Sequence, residues 1–393
     1  MSRKKNTPTN KRNVEVSIIV CILVIMAVMI IRFLSLDISF QRYNTSTLHY
    51  VRGVVKEVQS ESLYTSAYGE DIQLGEQTVV VTILEGALKS HDVLINNYIS
   101  VTHNVVLKTG NRVIVCADMP EGIEPYYSIY NYDRSWLLVV VAGFFLILVA
   151  VIGRKKGIMS CIGLLFTLCI LVCYLLPAIF EGKNAIVATL VTVLLSASVT
   201  CFCIGGIKSE TLRNIISVSI GCMSAGLIFS VFMVVLKITP SSINEVESLV
   251  LISQETSMDI KGILFAGVLI SAMGAVMDVA VSMGAAMREI KNLNPETSGV
   301  ALFRSGMNIG RDMIGTMTNT LILAFLGGSI SSLILLMSYG VQLNQLLSSD
   351  FLALEVAQGI ASSSAVVLTV PISAAVFVFD YKTGHQKKLL RRK

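Results

Sequence analysis

Long apolar runs separated by short polar loops set the pattern of this chain. Eight of them come close to or exceed the roughly 20 residues that a helix needs to cross a bilayer core: Val16–Leu34, Ser135–Ile152, Met159–Ile179, Ala185–Ile204, Asn214–Leu236, Ile260–Met287, Met313–Met337 and Phe351–Phe379. Between the first and second runs the period changes. In residues 36–134 the stretches HYVRGVVKEVQ, QTVVVTILEG, NNYISV and, after Lys108-Thr109-Gly110-Asn111, RVIVCA read as short strands with turn signals between them. They predict a small all-β domain, a curled sheet or barrel of OB or SH3-like type. Two stretches fit neither pattern. Thr239–Asp259 reads as an amphipathic or re-entrant helix, and Glu296–Asn308, after a helix start at Asn294-Pro295-Glu296, as a short surface helix. The last run opens with Glu355 and Gln358 and continues through Ser362, Ser363 and Ser364 to Pro371, a polar half that fits either a cavity lining or ordinary helix packing.

Composition agrees with the runs. The 393 residues are 53% hydrophobic and only 15% charged, against about a quarter charged in soluble domains. The net charge of +5 comes from basic clusters at run ends and so speaks of topology, not nucleic-acid binding. Arg154, Lys155, Lys156, Lys208, Arg213, Arg288, Lys291, Arg304, Arg311 and the basic C-terminus fall on the side of the basic N-terminus; the other side holds little more than Lys183, Lys237 and Lys261. The positive-inside rule then places both termini in the cytoplasm and the β domain on the outer side of the cell membrane. The expected organisation is a basic tail at 1–13, an uncleaved anchor at 14–35, the extracytoplasmic β-rich domain at 36–134, a seven-helix bundle at 135–380 and a basic tail at 381–393. IIRFLSLDISF offers no small-x-small cleavage site. Tyr126, Tyr127, Tyr130, Tyr132 and Trp136 gather beside the second run and read as an interfacial belt.

Seven of the eight cysteines lie in apolar runs, and the four histidines lie outside them, so no metal and no cofactor is expected. The sequence contains no H-E-x-x-H, G-x-S-x-G or P-loop pattern. Asp278 and Asp312 form the one plausible carboxylate pair, yet their depths differ by more than about 10 Å at 1.5 Å of rise per residue. No enzyme is expected.

The candidate chemistry centres on Asp278, the one charged side chain deep within an apolar run. A charge there costs a few kcal/mol or more unless it is neutralised, paired or hydrated, which marks it as a functional candidate. Gly267, Ser271, Gly274, Ser282 and Ala285 share its helical face, a small-residue stripe suited to close helix packing. The next run supplies Asn308, Arg311, Asp312, Thr316, Asn319 and Thr320. Asp278 lies ten residues before Arg288 and Asn319 eight after Arg311, depths of about 15 and 12 Å that let two antiparallel helices bring them together. Thr316, Asn319 and Thr320 would then complete a substrate or ion site with Asp278, while Arg311 and Asp312, in a polar cluster with Asn308, would form an inner-side ion pair that gates or fixes the helix pair.

The stretches DVAVSMGAAMREI and FRSGMNIGRDMIGTMTNTLILAFLGG resemble the YibE/F family of bacterial multipass membrane proteins. The motif positions are Asp278, Ser305, Gly306, Asn308, Gly310, Arg311, Asp312, Gly315, Thr316, Asn319 and Thr320. The resemblance implies a single anchor, an extracytoplasmic β-rich segment, a helical bundle and a transport-related role without an assigned substrate. Two functions follow: a transporter or permease of small solutes or ions acting through Asp278, or a membrane-anchored receptor or assembly factor whose β domain meets an extracytoplasmic protein partner. The lipid bilayer is the common partner of both.

Overall fold

The computed structural model describes residues 8–35, 47–67, 69, 72–86, 88–120, 122–239, 246–256 and 258–390. They fall into two compact units, Asp37–Leu148 on one hand and Met1–Leu36 with Val149–Lys393 on the other.

The first unit is a β half-barrel. Strands β1 (Leu48–Thr65), β2 (Gln73–Ile83), β3 (Asp92–Ile99), β4 (Arg112–Asp118) and β5 (Tyr126–Tyr132) form one antiparallel sheet in the order β3-β2-β1-β4-β5. β1 serves both halves: Leu48–Val54 pairs with β4, and Gly53–Thr65 with β2. Register shifts at Val55/Glu57 and Val58/Ser60 increase its local twist, and the edge strands β3 and β5 touch. The alternation read from the sequence is the reason for the core: Val55, Val79, Val81, Ile83, Ile95, Val113 and Val115 all point inward. Two buried amides then replace a missing strand. Gln77 donates to the Leu107 carbonyl at 3.0 Å and accepts from the Leu107 amide at 2.8 Å, and Asn97 donates to Val105 at 2.7 Å. They fasten segment 105–107 over the barrel mouth.

The aromatic stretch read as a belt is strand β5. Tyr127 and Tyr132 pack on the β core, and the Tyr132 hydroxyl donates to the Val106 carbonyl. Trp136, one residue into the following helix, remains exposed.

The second unit is helical. α1 spans Pro8–Ser35; α2 spans Ser135–Ile170, its first turns counted with the β unit, and passes through a π turn at Leu171–Leu175 into α3 (Leu176–Phe180). Then come α4 (Ala185–Gly205), α5 (Ser209–Val235), α6 (Val246–Thr256), α7 (Ile260–Leu293), α8 (Gly299–Ser338), α9 (Leu343–Leu347) and α10 (Asp350–Leu390). Among the described residues seven helices are long and apolar enough to cross a membrane. One of them, Ser135–Phe180, has 46 residues. It breaks at Arg154 (φ 49°), where a Cβ on Gly157 would collide with the Val149 carbonyl. Residues eight apart in a straight helix are about 12 Å apart, so the chain turns sharply there, between the runs expected at Ser135–Ile152 and Met159–Ile179.

One expectation is corrected and two are refined. No separate surface helix precedes α8: α7 runs to Leu293, Asn294–Thr297 forms a turn, and the 40-residue α8 begins at once, capped by Ser298 Oγ accepting from the Ala301 amide at 3.2 Å. The backbone of α10 stays helical through the expected C-terminal tail to Leu390. The amphipathic segment contains α6, but its start at 240–245 lies outside the described residues.

α7 is the centre of the bundle and packs on α4, α5, α8 and α10. Its buried face carries Val268, Leu269, Ala272, Val276, Val279, Ala280, Met283 and Met287. Small residues allow the close approach: a Cβ on Gly226 would lie 2.6 Å from Phe265, and one on Gly310 would collide with Val370. By contrast a Cβ on Gly315 meets nothing within 4 Å. Overpacking costs about 1–3 kcal/mol and replacing a mid-helix Gly by Ala recovers roughly 1 kcal/mol. Gly310→Ala is therefore expected to lower the thermal unfolding midpoint of the purified protein, and Gly315→Ala to leave it unchanged or raise it.

A pH dependence follows from Asp133. The Ser135 hydroxyl, with the Ser135 amide and the Arg52 and Arg112 guanidiniums, holds its carboxyl below the usual range. A depressed folded value means that the stabilisation is complete above the unfolded value of about 3.9 and is lost as pH falls through the folded one. Asp133→Asn is expected to lower the unfolding midpoint at about pH 7, and by progressively less as the pH is brought down below about 3.9.

Candidate functional site

An α-helix whose buried face is apolar leaves a second face, and on α7 that face carries the chemistry. Gly267, Gly274, Asp278, Ser282 and Ala285 are exposed, with Ser271 half-buried at the edge. A Cβ on Gly267 or Gly274 meets nothing within 4 Å. The stripe expected to be a helix contact is thus not covered by another helix of this chain among the described residues. The reason is that Val276, Val279, Ala280 and Met283 already fill the contacts with α5 and α10 from the opposite side. Ser271 alone reaches across: its hydroxyl donates to Val268 at 2.9 Å and lies 3.1 Å from that of Ser362 on α10.

On α8 the expected set divides. Gly306 and Gly310 are buried against Met287, Ala374 and Val370 and are packing residues. Asn308, Arg311, Asp312, Gly315, Thr316, Asn319 and Thr320 are exposed. Arg311 donates to Asn308 Oδ1 at 3.2 Å, one turn back on the same helix. The expected Arg311–Asp312 ion pair is not formed, because adjacent helical side chains diverge by about 100°. The Thr316 hydroxyl donates to Met313 at 3.1 Å and that of Thr320 to Thr316 at 2.9 Å.

The register of the two helices follows from one contact. A Cβ on Gly306 would lie 3.1 Å from Met287 Sδ, and the short turn at 294–297 makes α7 and α8 antiparallel. Asp278 lies nine residues before Met287 and Gly315 nine after Gly306, each about 13 Å from that anchor by helical rise. Asp278 is therefore level with Gly315 and Thr316, and Asn319 is about 6 Å further along. No hydrogen bond or ion pair among the described residues reaches Asp278, Asp312 or Asn319.

The donors and acceptors are unequal. Asp278 offers a carboxylate and no donor. Thr316 and Thr320 have spent their hydroxyl protons on helical carbonyls and present lone pairs. Asn319 supplies an amide of either sense. An acceptor-rich set of this kind suits a cation or a protonated amine and disfavours an anion.

A second set of polar residues lies inside the bundle, and of it the sequence singles out only Ser363. Asn214 and Ser217 on α5, Ser196 and Thr200 on α4, and Ser363 and Ser373 on α10 are buried, and among the described residues Asn214 Oδ1 and the five hydroxyls have no hydrogen-bond partner. A Cβ on Gly284 of α7 would lie 2.8 Å from Phe377, beside Asn214. Close by in sequence, Glu210 is paired with Arg288 at 2.8 Å, and the Arg213 guanidinium lies 4.7 Å from the Phe377 ring centre. Buried polar atoms without partners are sites for ordered water or a bound solute. The signal in the sequence is an asparagine at the start of one apolar run, Ser196 and Thr200 in a second and the triplet Ser362–Ser364 in the last.

The fold and these sites define a helical bundle with helices of membrane-crossing length and apolarity, preceded by a β half-barrel. A family model described as YibE/F-like protein matches residues 141–383. That is more than half of the chain, which belongs to the YibE/F-like family. The match takes in Asp278 and all of the α8 motif and leaves α1 and the β strands outside. Comparison with curated proteins and with solved structures returns no match.

The two faces of α7 are open to a direct check. In Gly274→Cys and Ser282→Cys the new thiol is expected to react with a small maleimide in the detergent-solubilised protein, at least ten-fold faster than in Ala280→Cys. Site-resolved peptide mass spectrometry reads the difference; equal rates at all three positions contradict the exposed stripe.

Proposed function

We propose that this protein is a multipass permease of the bacterial cell membrane, with both termini cytoplasmic, that moves a small cation or an amine-bearing solute past Asp278. The observation that carries this reading is a carboxylate without a partner among the described residues in the middle of an apolar helix, level along the helix axes with Thr316 of the neighbouring helix. Such a group costs about 2.5–3.5 kcal/mol or more in hydrocarbon while it remains charged and bare. Binding a cation or a proton removes that cost. The buried hydroxyls of α4, α5 and α10 add interior positions at which water or solute would be held. In this reading Arg311 and Asn308 fix the inner end of α8 rather than gate it through Asp312. The strand order of the half-barrel and its touching edges favour an OB-like domain on the outer side. No catalysis is assigned.

A second reading rests on the β unit. Tyr50, Tyr64, Tyr98, Tyr126 and Tyr130 are exposed there, and Tyr50 and Tyr130 stack edge to face at 5.1 Å. Exposed aromatics are common contact residues for a protein partner. A receptor or assembly factor of this kind would be crosslinked through residues 47–132 to one partner and would not need Asp278.

Flux separates the two. Purified protein in liposomes is expected to move a panel cation or amine, and Asp278→Asn to reduce that flux at least ten-fold, with Asp278→Glu retaining part of it. Absence of flux for every panel member, or an unchanged rate in Asp278→Asn, removes the permease reading.

A further inference from the structure

The β unit contains a cavity of about 340 Å³ at the point where β5 gives way to α2, lined by Arg112, Tyr132, Asp133, Arg134, Trp136 and Leu137 beside Asn111. Two guanidiniums of different standing meet there. Arg134 lies over the Tyr132 ring at 5.6 Å, a placement that holds the planar group by its face and leaves its N–H edge for another acceptor. The side chain of Arg112, at the start of β4, makes no hydrogen bond and no ion pair within 4 Å among the described residues, and it feels the Asp133 carboxylate only at longer range. The acidic member of the lining is already used: Asp133 accepts from the Ser135 amide at 3.1 Å and from the Ser135 hydroxyl, and faces Arg52 at 3.6 Å. Lys108, in the turn whose amide bonds Asn111 at 2.8 Å, adds a further cation at this end of the unit. The cavity is therefore basic, and its free donors are those that favour a tetrahedral oxyanion.

The apolar part of the lining says which oxyanion. Trp136 is 58% and Leu137 52% exposed, and the run that follows them is the first turn of an apolar helix. A free phosphate or sugar phosphate has no use for such a lip. A phospholipid has both parts, an anionic phosphate at the headgroup level and acyl chains below it, where tryptophan is also most at home. We infer that Arg112 and Arg134 hold the phosphate of an anionic phospholipid of the outer leaflet, with Trp136 and Leu137 against its glycerol and upper acyl chain. The inference rests on the membrane reading above and extends it to a specific lipid site.

Trp136 is the one tryptophan of the chain, so its fluorescence reports on this cavity alone. The full-length protein in neutral detergent is titrated with phosphatidylglycerol or phosphatidylcholine carrying brominated acyl chains, which quench indole on contact. Wild type is expected to be quenched by phosphatidylglycerol at a mole fraction at least ten-fold lower than by phosphatidylcholine. The variant R112Q/R134Q is expected to lose that preference, R112Q and R134Q singly to show part of the loss, and the inner-side control R154Q/K155Q to keep it. Unfolding midpoints show whether each variant is folded. Equal quenching of wild type by both lipids overturns the site while leaving membrane insertion intact. Displacement of the brominated lipid by millimolar glycerol 3-phosphate overturns the lipid assignment in favour of a soluble phosphate. Recovery of the protein in the soluble fraction of cells, with quenching by neither lipid, overturns the membrane reading itself.

Discussion

Within an apolar helix a side chain that donates a hydrogen bond can satisfy itself, and one that only accepts cannot. Every interior N–H of the helix is bound to a carbonyl four residues back, whereas carbonyl oxygens keep a spare lone pair. Several hydroxyls of this bundle use that difference. Thr189 donates to Ala185 at 2.6 Å, Thr192 to Ala188 at 2.9 Å and Thr369 to Ala365 at 2.7 Å, so each is accommodated within its own helix. Asp278 has no such recourse. Its oxygens need a donor from outside α7, and no described residue of this chain provides one. The architecture around α7 is arranged so that the position stays open.

Glycine shows that arrangement most clearly, because it occurs in two opposed settings. Gly226, Gly284, Gly306 and Gly310 are points where helices press together and where any added carbon meets a neighbour. Gly267, Gly274, Gly315, Gly327 and Gly328 face empty space. The first group allows α5, α7, α8 and α10 to pack tightly on the buried face of α7. The second keeps the exposed faces of α7 and α8 low around Asp278 and Thr316. A Cβ at Gly274 or Gly315 would meet no other part of the chain among the described residues, so packing within the chain does not account for glycine at either position.

Much of this was legible in the sequence because period and length are local properties. The apolar runs, the alternating stretches of the β domain and the isolation of Asp278 follow from reading residues in order, and the family motif from Ser305 to Thr320 identified the membership that the match over 141–383 establishes. What failed depended on direction or on tertiary partners. Gly274 and Gly310 are both small residues at helical spacing, and only the positions of α8 and α10 decide that one faces outward and the other inward. Tyr132 looks like an interfacial aromatic until its hydroxyl meets the Val106 carbonyl. Gln77 and Asn97 carry no sign that they stand in for a strand by bonding to 105–107. Arg311 and Asp312 are neighbours in sequence and for that reason point apart, so Arg311 turns to Asn308.

The two polar sets differ in what they can select, and the difference bears on how the proposed permease would work. The hydroxyls of α4, α5 and α10 both donate and accept, are neutral, and lie in the same bundle as the Glu210–Arg288 pair, where water is as good a partner as any solute. Asp278 brings one negative charge, and the hydroxyls of Thr316 and Thr320 at about its level present lone pairs. A single carboxylate is neutralised by a single proton or monovalent cation, so loading and charge cancellation are the same event. The empty site then carries the hydrocarbon penalty and the loaded site does not, a difference of about 2.5–3.5 kcal/mol or more, or a factor of at least roughly a hundred in population. An empty carrier would accordingly hold Asp278 where water reaches it, and only the loaded one would tolerate a dry passage. That asymmetry needs no ion pair and no second carboxylate, which is consistent with the lack of a bond between Arg311 and Asp312 among the described residues.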